Sequence, residues 1–289
     1  MRAHDRPAVG PTRRPPTNPV GLVGLVVLTT VLSMVSPAPA SAASPDAPVD
    51  LAGFVDPFVG TAPAARDFGT GGGAGDTFPG AAVPFGMVQW SPDTVRSQPG
   101  GYLYTDDRIR GFSLTHFSGA GCVAFGDIPF LPLAGTVTSS PASDPGRYVA
   151  GFSHRHEQAS PGYYRVRLAS GPRVELTATE RTGMARFTFD PSRPATVPVN
   201  VAGSAKGTDD AQVTVTGPDT VSGWASSGDF CGAGNHYRVF FVARFDRPFA
   251  SFGTWRDGAV RPGVATARGG SRRAGDRAGV GEPPSDGRP

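Results

Sequence analysis

Apolar and polar residues alternate with a period of two along most of the chain after residue 54, which is the pattern of strands with one buried face. In residues 164–168, Tyr164, Val166 and Leu168 alternate with two arginines. The same alternation recurs in residues 174–179, 185–189, 197–201, 213–215 and 237–245. No helical period follows the first 42 residues. We therefore predict an all-β, two-sheet sandwich, since packing two sheets face to face buries such strands.

The first 42 residues have the organisation of a signal peptide. Four arginines precede an apolar run at residues 20–35, and small residues follow at residues 38–42. This order of positive, apolar and small residues is typical of a cleavable secretion signal. The apolar run is shorter than the roughly 20 residues that a membrane span needs, and an uncleaved anchor is the alternative. The sequence thus predicts a secreted, extracellular protein with no membrane contact after cleavage.

The rest of the chain divides by composition. Residues 43–53 form a short leader rich in alanine and proline, and residues 54–255 carry the strand patterns of the sandwich. After Trp255 the sequence is mainly arginine, glycine and proline, with few large apolar side chains. Such a composition buries too little apolar surface to order itself. We predict that residues 256–289 are a tail, either disordered or produced by a shifted reading frame.

Composition and charge argue against a nucleic-acid partner. The 289 residues include 40 glycines and 30 prolines, which suits a protein with many turns, and the formal net charge is only +3. Lys206 is the single lysine, and the arginines concentrate at the two ends of the chain. Without a basic face or stacked aromatic residues around it, binding to DNA or RNA is not expected.

The chain has two cysteines, Cys122 and Cys231. In an oxidising compartment they could form a disulfide, and a bridge over that sequence separation would stabilise the protein by roughly 4–5 kcal/mol on the chain-entropy model. Two buried free thiols are the alternative. The sequence leaves both open, because bridging depends on the separation of the two Cα atoms.

Familiar catalytic motifs are absent. The glycine-rich residues 70–75 (TGGGAG) lack the Lys-Ser/Thr pair of a phosphate-binding loop, and residues 111–115 (GFSLT) lack the second glycine of a nucleophile elbow. His154, His156 and Glu157 form no four-ligand metal set. We interpret the two histidines as exposed side chains on one strand face, and we expect no metal ion in this chain.

The most informative stretch is residues 100–127 (GGYLYTDDRIRGFSLTHFSGAGCVAFGD). It places aromatic residues, aspartates and a histidine among glycines. Aromatic faces stack on the C–H surfaces of sugars, while carboxylates and arginine bond to hydroxyl groups. A set of turns between core strands has a similar composition. On composition alone, the stretch therefore indicates either a sugar-binding region or a purely structural one.

Ordered motifs add to this interpretation. They are residues 55–61 (VDPFVGT), 78–81 (FPGA), 83–89 (VPFGMVQ), 91–94 (SPDT), 111–116 (GFSLTH), 118–122 (SGAGC), 126–127 (GD), 160–164 (SPGYY), 174–179 (VELTAT), 230–232 (FCG) and 248–249 (PF). With these motifs the chain resembles the N-terminal domain of family 92 glycoside hydrolases, the secreted calcium-dependent α-mannosidases. The resemblance extends from about residue 54 to residue 255.

The resemblance implies a front β-sandwich of the glycosidase N-terminal supersandwich type, joined to a helical barrel. It also implies inversion at the sugar carbon, with a glutamic acid as general acid and an aspartate as general base, separated widely enough to admit a water. Both catalytic carboxylates and the calcium ligands would belong to the barrel. No catalytic residue or calcium site is therefore expected in this chain.

The front domain would contribute loops to the mannose pocket. By position in the motifs, we predict that the substrate-binding residues are Asp93, Arg96, His116, Ser118, Gly119, Cys122 and Asp127. A core histidine is the alternative for His116, and a turn cap is the alternative for Asp127. Phe117 departs from the residue that often follows the histidine in this family.

These observations give three hypotheses. The first is a truncated or frame-shifted α-mannosidase that keeps its carbohydrate-facing domain, recognises mannose-containing glycans with α-1,2 linkages as the expected class, and needs the barrel for catalysis. The second is a stand-alone carbohydrate-binding module, and the third is a sandwich without a ligand. Missing strands would leave open sheet edges, so we also expect poor solubility.

Overall fold

The computed structural model describes residues 49–63, 75–96 and 99–270. Its strands are β1 Ala81–Ala82, β2 Gln89–Thr94, β3 Arg108–Ser113, β4 Leu133–Ala134, β5 Ala150–Ser160, β6 Tyr163–Leu168, β7 Arg173–Ala178, β8 Gly183–Thr188, β9 Ala195–Thr196, β10 Asp210–Val215, β11 Thr220–Gly228, β12 His236–Arg244, β13 Gly253–Arg256, β14 Ala259–Pro262 and β15 Thr266–Gly269. The helical elements of these ranges are short 3₁₀ turns at Leu51–Phe54, Pro145–Tyr148 and Phe230–Gly232.

A seven-stranded sheet in the order β1-β2-β3-β5-β6-β7-β8 makes up the first part of the fold. Neighbouring strands in it are antiparallel. The long strand β5 joins its two halves, pairing with β3 near its start and with β6 near its end, with a shift of register between Phe152 and Glu157. The sheet thereby folds back on itself, so that β1 and β2 lie near β7.

A four-stranded antiparallel sheet in the order β12-β11-β10-β15 makes up the second part. Its inner face contributes Ala211, Val221, Ala225 and Phe241 to the same hydrophobic cluster that contains the buried residues of the first sheet. Two small sheets, β13-β14 and β4-β9, complete the described fold. The predicted all-β sandwich is confirmed, although the strands are divided among more than two sheets.

The predicted strand at residues 197–201 is mostly absent. Only Ala195–Thr196 form a short strand, and Val199 makes an isolated bridge with Phe130. Pro198 explains the difference, because proline has no N–H to donate to a β-ladder.

The structure also corrects the predicted start of the tail at residue 256. Strands β14 and β15 follow that position, and β15 pairs with β10 in the second sheet. Arg268 of β15 forms an ion pair with Asp210 of β10, which lowers the pKa of the aspartate through the hydrogen bond and charge of the guanidinium. Pairing to an existing strand orders a segment whose own apolar content is too low.

The predicted signal peptide and most of the leader lie outside the described residues, as do residues 271–289 of the predicted tail. Within the described ranges, no helix combines the length and apolar character needed to cross a membrane.

Candidate functional site

Three connecting segments meet beside the end of strand β3. The central one, residues 114–126, is here called the disulfide loop; it follows β3 and contains Cys122. Cys122 is bonded to Cys231 in the turn between β11 and β12, with Cα atoms 5.3 Å apart. The amide of Gly119 donates to the carbonyl of Asp76, 3.1 Å away, in the segment before β1. The predicted alternative of two free thiols is therefore wrong, and the loop is fastened to two other parts of the chain.

His116 belongs to this loop, and its ring is buried. Its Nδ1 is 2.7 Å from the carbonyl oxygen of Gln89, so this nitrogen carries a proton and donates it. Its Nε2 lies 3.3 Å from Asp93 Oδ1 and 3.3 Å from Ser113 Oγ. The first of these is an ion-pair distance rather than a well-formed hydrogen bond, since Asp93 Oδ1 has no hydrogen-bond partner of good geometry.

Asp93, His116 and Ser113 resemble the components of a serine-hydrolase triad, but their arrangement is different. Asp93 and Ser113 approach the same ring nitrogen, whereas a triad places them on opposite nitrogens. All three side chains are also buried, which removes any accessible nucleophile. The cluster is therefore a support beneath the loop.

Asp93 should make the stability of the protein depend on pH. Burial opposes its charge, but His116 and Arg110 outweigh this effect, so its pKa lies below the usual 3.8. A carboxyl with a lowered folded-state pKa stabilises the fold above its unfolded pKa, and this contribution disappears as pH falls through the folded value.

Accordingly, Asp93→Asn should lose less of its free energy of unfolding than the wild type between about pH 5 and about pH 3. Urea unfolding at a series of pH values measures this difference. Parallel pH profiles for the two proteins would show that Asp93 carries no such linkage.

Asp127 is completely buried and joins the disulfide loop to the second sheet. Its carboxylate accepts hydrogen bonds from the hydroxyls of Thr115 at 2.6 Å and Tyr237 at 3.0 Å, and from Ser204. Thr115 belongs to the loop, whereas Tyr237 lies on β12. The three hydroxyl donors replace water around the buried charge, so Asp127 fixes the relative positions of these segments.

The remaining predicted residues lie at the surface. Arg96 is exposed, and its Nη2 donates to the carbonyl of Thr105 at 2.8 Å while its amide donates to the buried carboxylate of Asp106 at 2.6 Å. Ser118 is exposed, and Gly119 and Cys122 are partly exposed. Gly119 has φ 108°, a conformation that favours glycine. Ser118, Gly119 and Cys122 thus form a solvent-facing rim of the disulfide loop, whereas Arg96 lies in the segment after β2.

Phe117, where the sequence departs from the family pattern, packs within the loop. Its ring lies 5.2 Å from that of Phe230 and 6.5 Å from that of Phe125, measured between centroids. A Cβ added at Gly121 would come within 3.0 Å of the rings of Phe117 and Phe230. Phe117 and Phe230 thus pack closely against Gly121 within the disulfide loop, where a larger residue would not fit.

A second polar cluster was not predicted from the sequence. The buried carboxylate of Glu157 accepts hydrogen bonds from Tyr164 at 2.6 Å and Tyr102 at 3.0 Å, and it lies 2.7 Å from His154 Nδ1. Burial, followed by the Glu157 charge, raises the pKa of both tyrosines. The His154 ring stacks on Tyr104 with centroids 4.0 Å apart, so the interpretation of His154 as a simple exposed side chain is wrong.

This cluster depends on a register shift in β5, which the sequence pattern did not indicate. Residues three apart point to opposite faces of a regular strand, which separates His154 from Glu157. The shift of register between Phe152 and Glu157 brings them together. In the described residues, no group of three or more histidine, cysteine, aspartate and glutamate side chains is arranged to hold a metal ion.

Comparison with known proteins identifies relatives. The model of the glycosyl hydrolase family 92 N-terminal domain matches residues 54–280. The family GH92 alpha-mannosidase BT3965 from Bacteroides thetaiotaomicron is 31% identical with a TM-score of 0.64, over 75% of this chain and 30% of that one; its structure is also known in complex with mannoimidazole. The gh92 family glycosyl hydrolase ccman5 is 27% identical with a TM-score of 0.63, over 75% of this chain and 30% of that one.

A curated relative agrees with these structures. An uncharacterized secreted glycosidase of Arthroderma benhamiae is 30% identical over 145 residues, which are 48% of this chain and 17% of that protein. The chain therefore spans less than a third of the length of these relatives.

Proposed function

The chain belongs to the glycosyl hydrolase family 92 N-terminal domain family, and from this membership we propose that it is the sugar-facing front part of a secreted α-mannosidase. Its ligands are mannose-containing glycans, with α-1,2-linked mannosides as the favoured class. The observation that carries the proposal is the disulfide loop, in which Ser118 and Gly119 lie between two fixed points, the hydrogen bond of Thr115 to Asp127 and the bridge of Cys122 to Cys231. A loop held in this way is preorganised for binding.

The rim and the separate Arg96 side chain supply hydrogen-bonding groups that a sugar can use. The Ser118 hydroxyl can donate and accept, the Arg96 guanidinium can donate, and the backbone at Gly119 allows close approach. Asp93, His116 and Asp127 contribute by holding this rim, because their own side chains are buried. Of the seven residues predicted to bind substrate, Arg96, Ser118, Gly119 and Cys122 are thus the ones that can contact a sugar. The other three support the loop.

The chemistry belongs to another part of the family enzyme. Inversion needs a general acid and a general base on opposite sides of the sugar. The resemblance implies that both residues, and the calcium ligands, come from the helical barrel of the family enzyme. The described residues contain strands and 3₁₀ turns but no α-helix. On the strength of the resemblance alone, we assign no catalytic residue and no calcium site to them.

The purified chain should release no mannose from α-1,2-mannobiose in the presence of calcium. The reason is that a rim can bind the sugar but cannot transfer the two protons that hydrolysis requires. The assay measures free mannose over time, with a complete family 92 mannosidase as positive control. Calcium-dependent turnover by the chain itself would contradict the proposal.

A carbohydrate-binding module is the second candidate, and the anchoring of the disulfide loop favours it. The bridge to Cys231 and the hydrogen bonds of Asp127 fix the loop from within this chain. A module of this kind would bind mannosides with saturable micromolar-to-millimolar affinity and without turnover, whereas half of a split pocket would bind them more weakly. Isothermal titration with mannobiose distinguishes the two.

A further inference from the structure

Strand β12 forms an edge of the second sheet. Within the described ranges it pairs with β11 on one side, and no strand pairs with its other side. The pairing with β11 runs over nine consecutive residues without a register shift. An unpaired edge exposes a row of backbone donors and acceptors that can bind another strand.

The exposed side chains of β12 are apolar at its centre. Phe240 is 70% exposed and Val242 is 73% exposed, and both lie on the outer face of the sheet. The apolar surface continues onto Trp224 of β11, the register partner of Phe240, beside a shallow depression of about 380 Å³. Apolar surface exposed on an edge strand is typical of an association surface.

The other edges of the two larger sheets are better protected. Strand β1 has two residues and β15 has four, which leaves little backbone to pair. Strand β8 has six residues and carries an exposed arginine, Arg186, at its centre. By contrast, β12 is nine residues long, has no proline or bulge in its pairing, and its two exposed arginines, Arg238 and Arg244, flank an uncharged centre from Val239 to Ala243. Short length, charge, proline and bulges are the features that protect edges, so β12 is the edge most open to another strand.

We propose that two copies of the chain pair their β12 strands antiparallel about a twofold axis at Phe240. The sequence of β12 is complementary to itself in this register. On the outer face Phe240 meets Phe240 of the other copy, and on the inner face the larger Phe241 meets Val239 while Tyr237 meets the small Ala243. Aromatic pairs and aromatic–β-branched pairs stabilise neighbouring antiparallel strands.

The charges of β12 are compatible with this pairing. Arg244 Nε is 3.1 Å from Asp219, and His236 Nδ1 is 2.9 Å from Asp209, so both ends of the strand have acidic partners within the same copy. Arg238 lies over the Trp224 ring at 4.1 Å. A second copy therefore brings no uncompensated acidic or basic cluster to the interface. Antiparallel pairing of two identical strands also has twofold symmetry, which is the commonest symmetry of homodimers.

Sedimentation over a range of concentrations tests the association. The wild-type chain should form a dimer in a concentration-dependent manner. Phe240→Lys places two like charges opposite each other on the axis and should weaken the dimer about tenfold or more. Met184→Lys is the matched control, because Met184 is 72% exposed on the edge strand β8, and it should leave the dimer unchanged. A wild-type chain that stays monomeric, or equal effects of the two variants, would overturn the proposal.

A cysteine placed on the axis tests the register. Both natural cysteines are in the disulfide, so a new cysteine reports only on its own surroundings. Phe240→Cys should form a dimer linked by a disulfide under mild oxidation, since the two side chains are opposite each other, whereas Met184→Cys should not. Circular dichroism verifies that each variant is folded. Equal crosslinking at both positions, or none at Phe240→Cys, would contradict the proposed pairing, and neither result bears on sugar binding at the rim.

Discussion

Replacing Cys122 and Cys231 together by serine should lower the free energy of unfolding by about 4–5 kcal/mol. The bridge closes a loop with a sequence separation of 109 residues. Breaking it returns conformational entropy to the unfolded chain, which is the main effect of a disulfide in the chain-entropy model. For a domain of this size, the melting temperature should fall by roughly 10–20 °C.

Thermal unfolding followed by circular dichroism, with and without a reductant, measures this effect. The reductant should lower the melting temperature of the wild type to that of the double serine variant, and it should not affect the variant. The variant should also show faster hydrogen exchange in residues 114–126, because the loop has lost one of its anchors. A melting temperature within a few degrees of the wild type would show that the bridge does not stabilise the fold.

Asp127→Ala should destabilise the protein by about 3–5 kcal/mol. The substitution removes the acceptor of the hydroxyls of Thr115, Ser204 and Tyr237. A buried polar group left without a partner costs about 1–3 kcal/mol, and some of these hydroxyls will find other partners after relaxation. The effect should therefore be large but less than the sum of three full penalties.

Asp107→Ala is the matched control, since its side chain is 85% exposed. Surface substitutions of this kind change stability by about 0.5 kcal/mol or less. Urea unfolding of the two variants gives both values. Similar small losses for both would mean that the hydroxyl cluster around Asp127 contributes little, and that the loop is held mainly by its disulfide.

The sequence predicted the sandwich because its strands have one buried face. Tyr164, Val166 and Leu168 are all buried on β6, as their alternation with two arginines indicates. The ordered motifs predicted the family, and the family model matches from residue 54, where the resemblance begins. Local period and local motif were sufficient for these conclusions.

The sequence could not predict features that depend on distant partners. Strand β15 (TARG) has no large apolar side chain, and its order comes from pairing with β10 rather than from its own composition. Cys122 and Cys231 are far apart in the sequence, so only the fold decides that they meet. The burial of Asp127 depends in the same way on Tyr237 of another sheet.

The sequence also could not separate the exposed residues of the predicted site from the buried residues that support them. Asp93, His116 and Asp127 are polar and lie in family motifs, which favoured direct contact with sugar. Their burial follows from hydrogen-bonding partners in other segments, such as the Gln89 carbonyl for His116. A buried polar side chain and an exposed one are indistinguishable in a motif.

The most direct test of the account is an NMR titration of the purified chain with methyl α-mannoside. The account predicts gradual shifts, without saturation, of the amides of residues 118–122 and of those next to Arg96, and no comparable change on β12. Methyl α-galactoside serves as the control ligand and should shift the same amides less. A disulfide loop that does not respond to mannoside, or shifts confined to other surfaces, would contradict the claim that this loop faces the sugar.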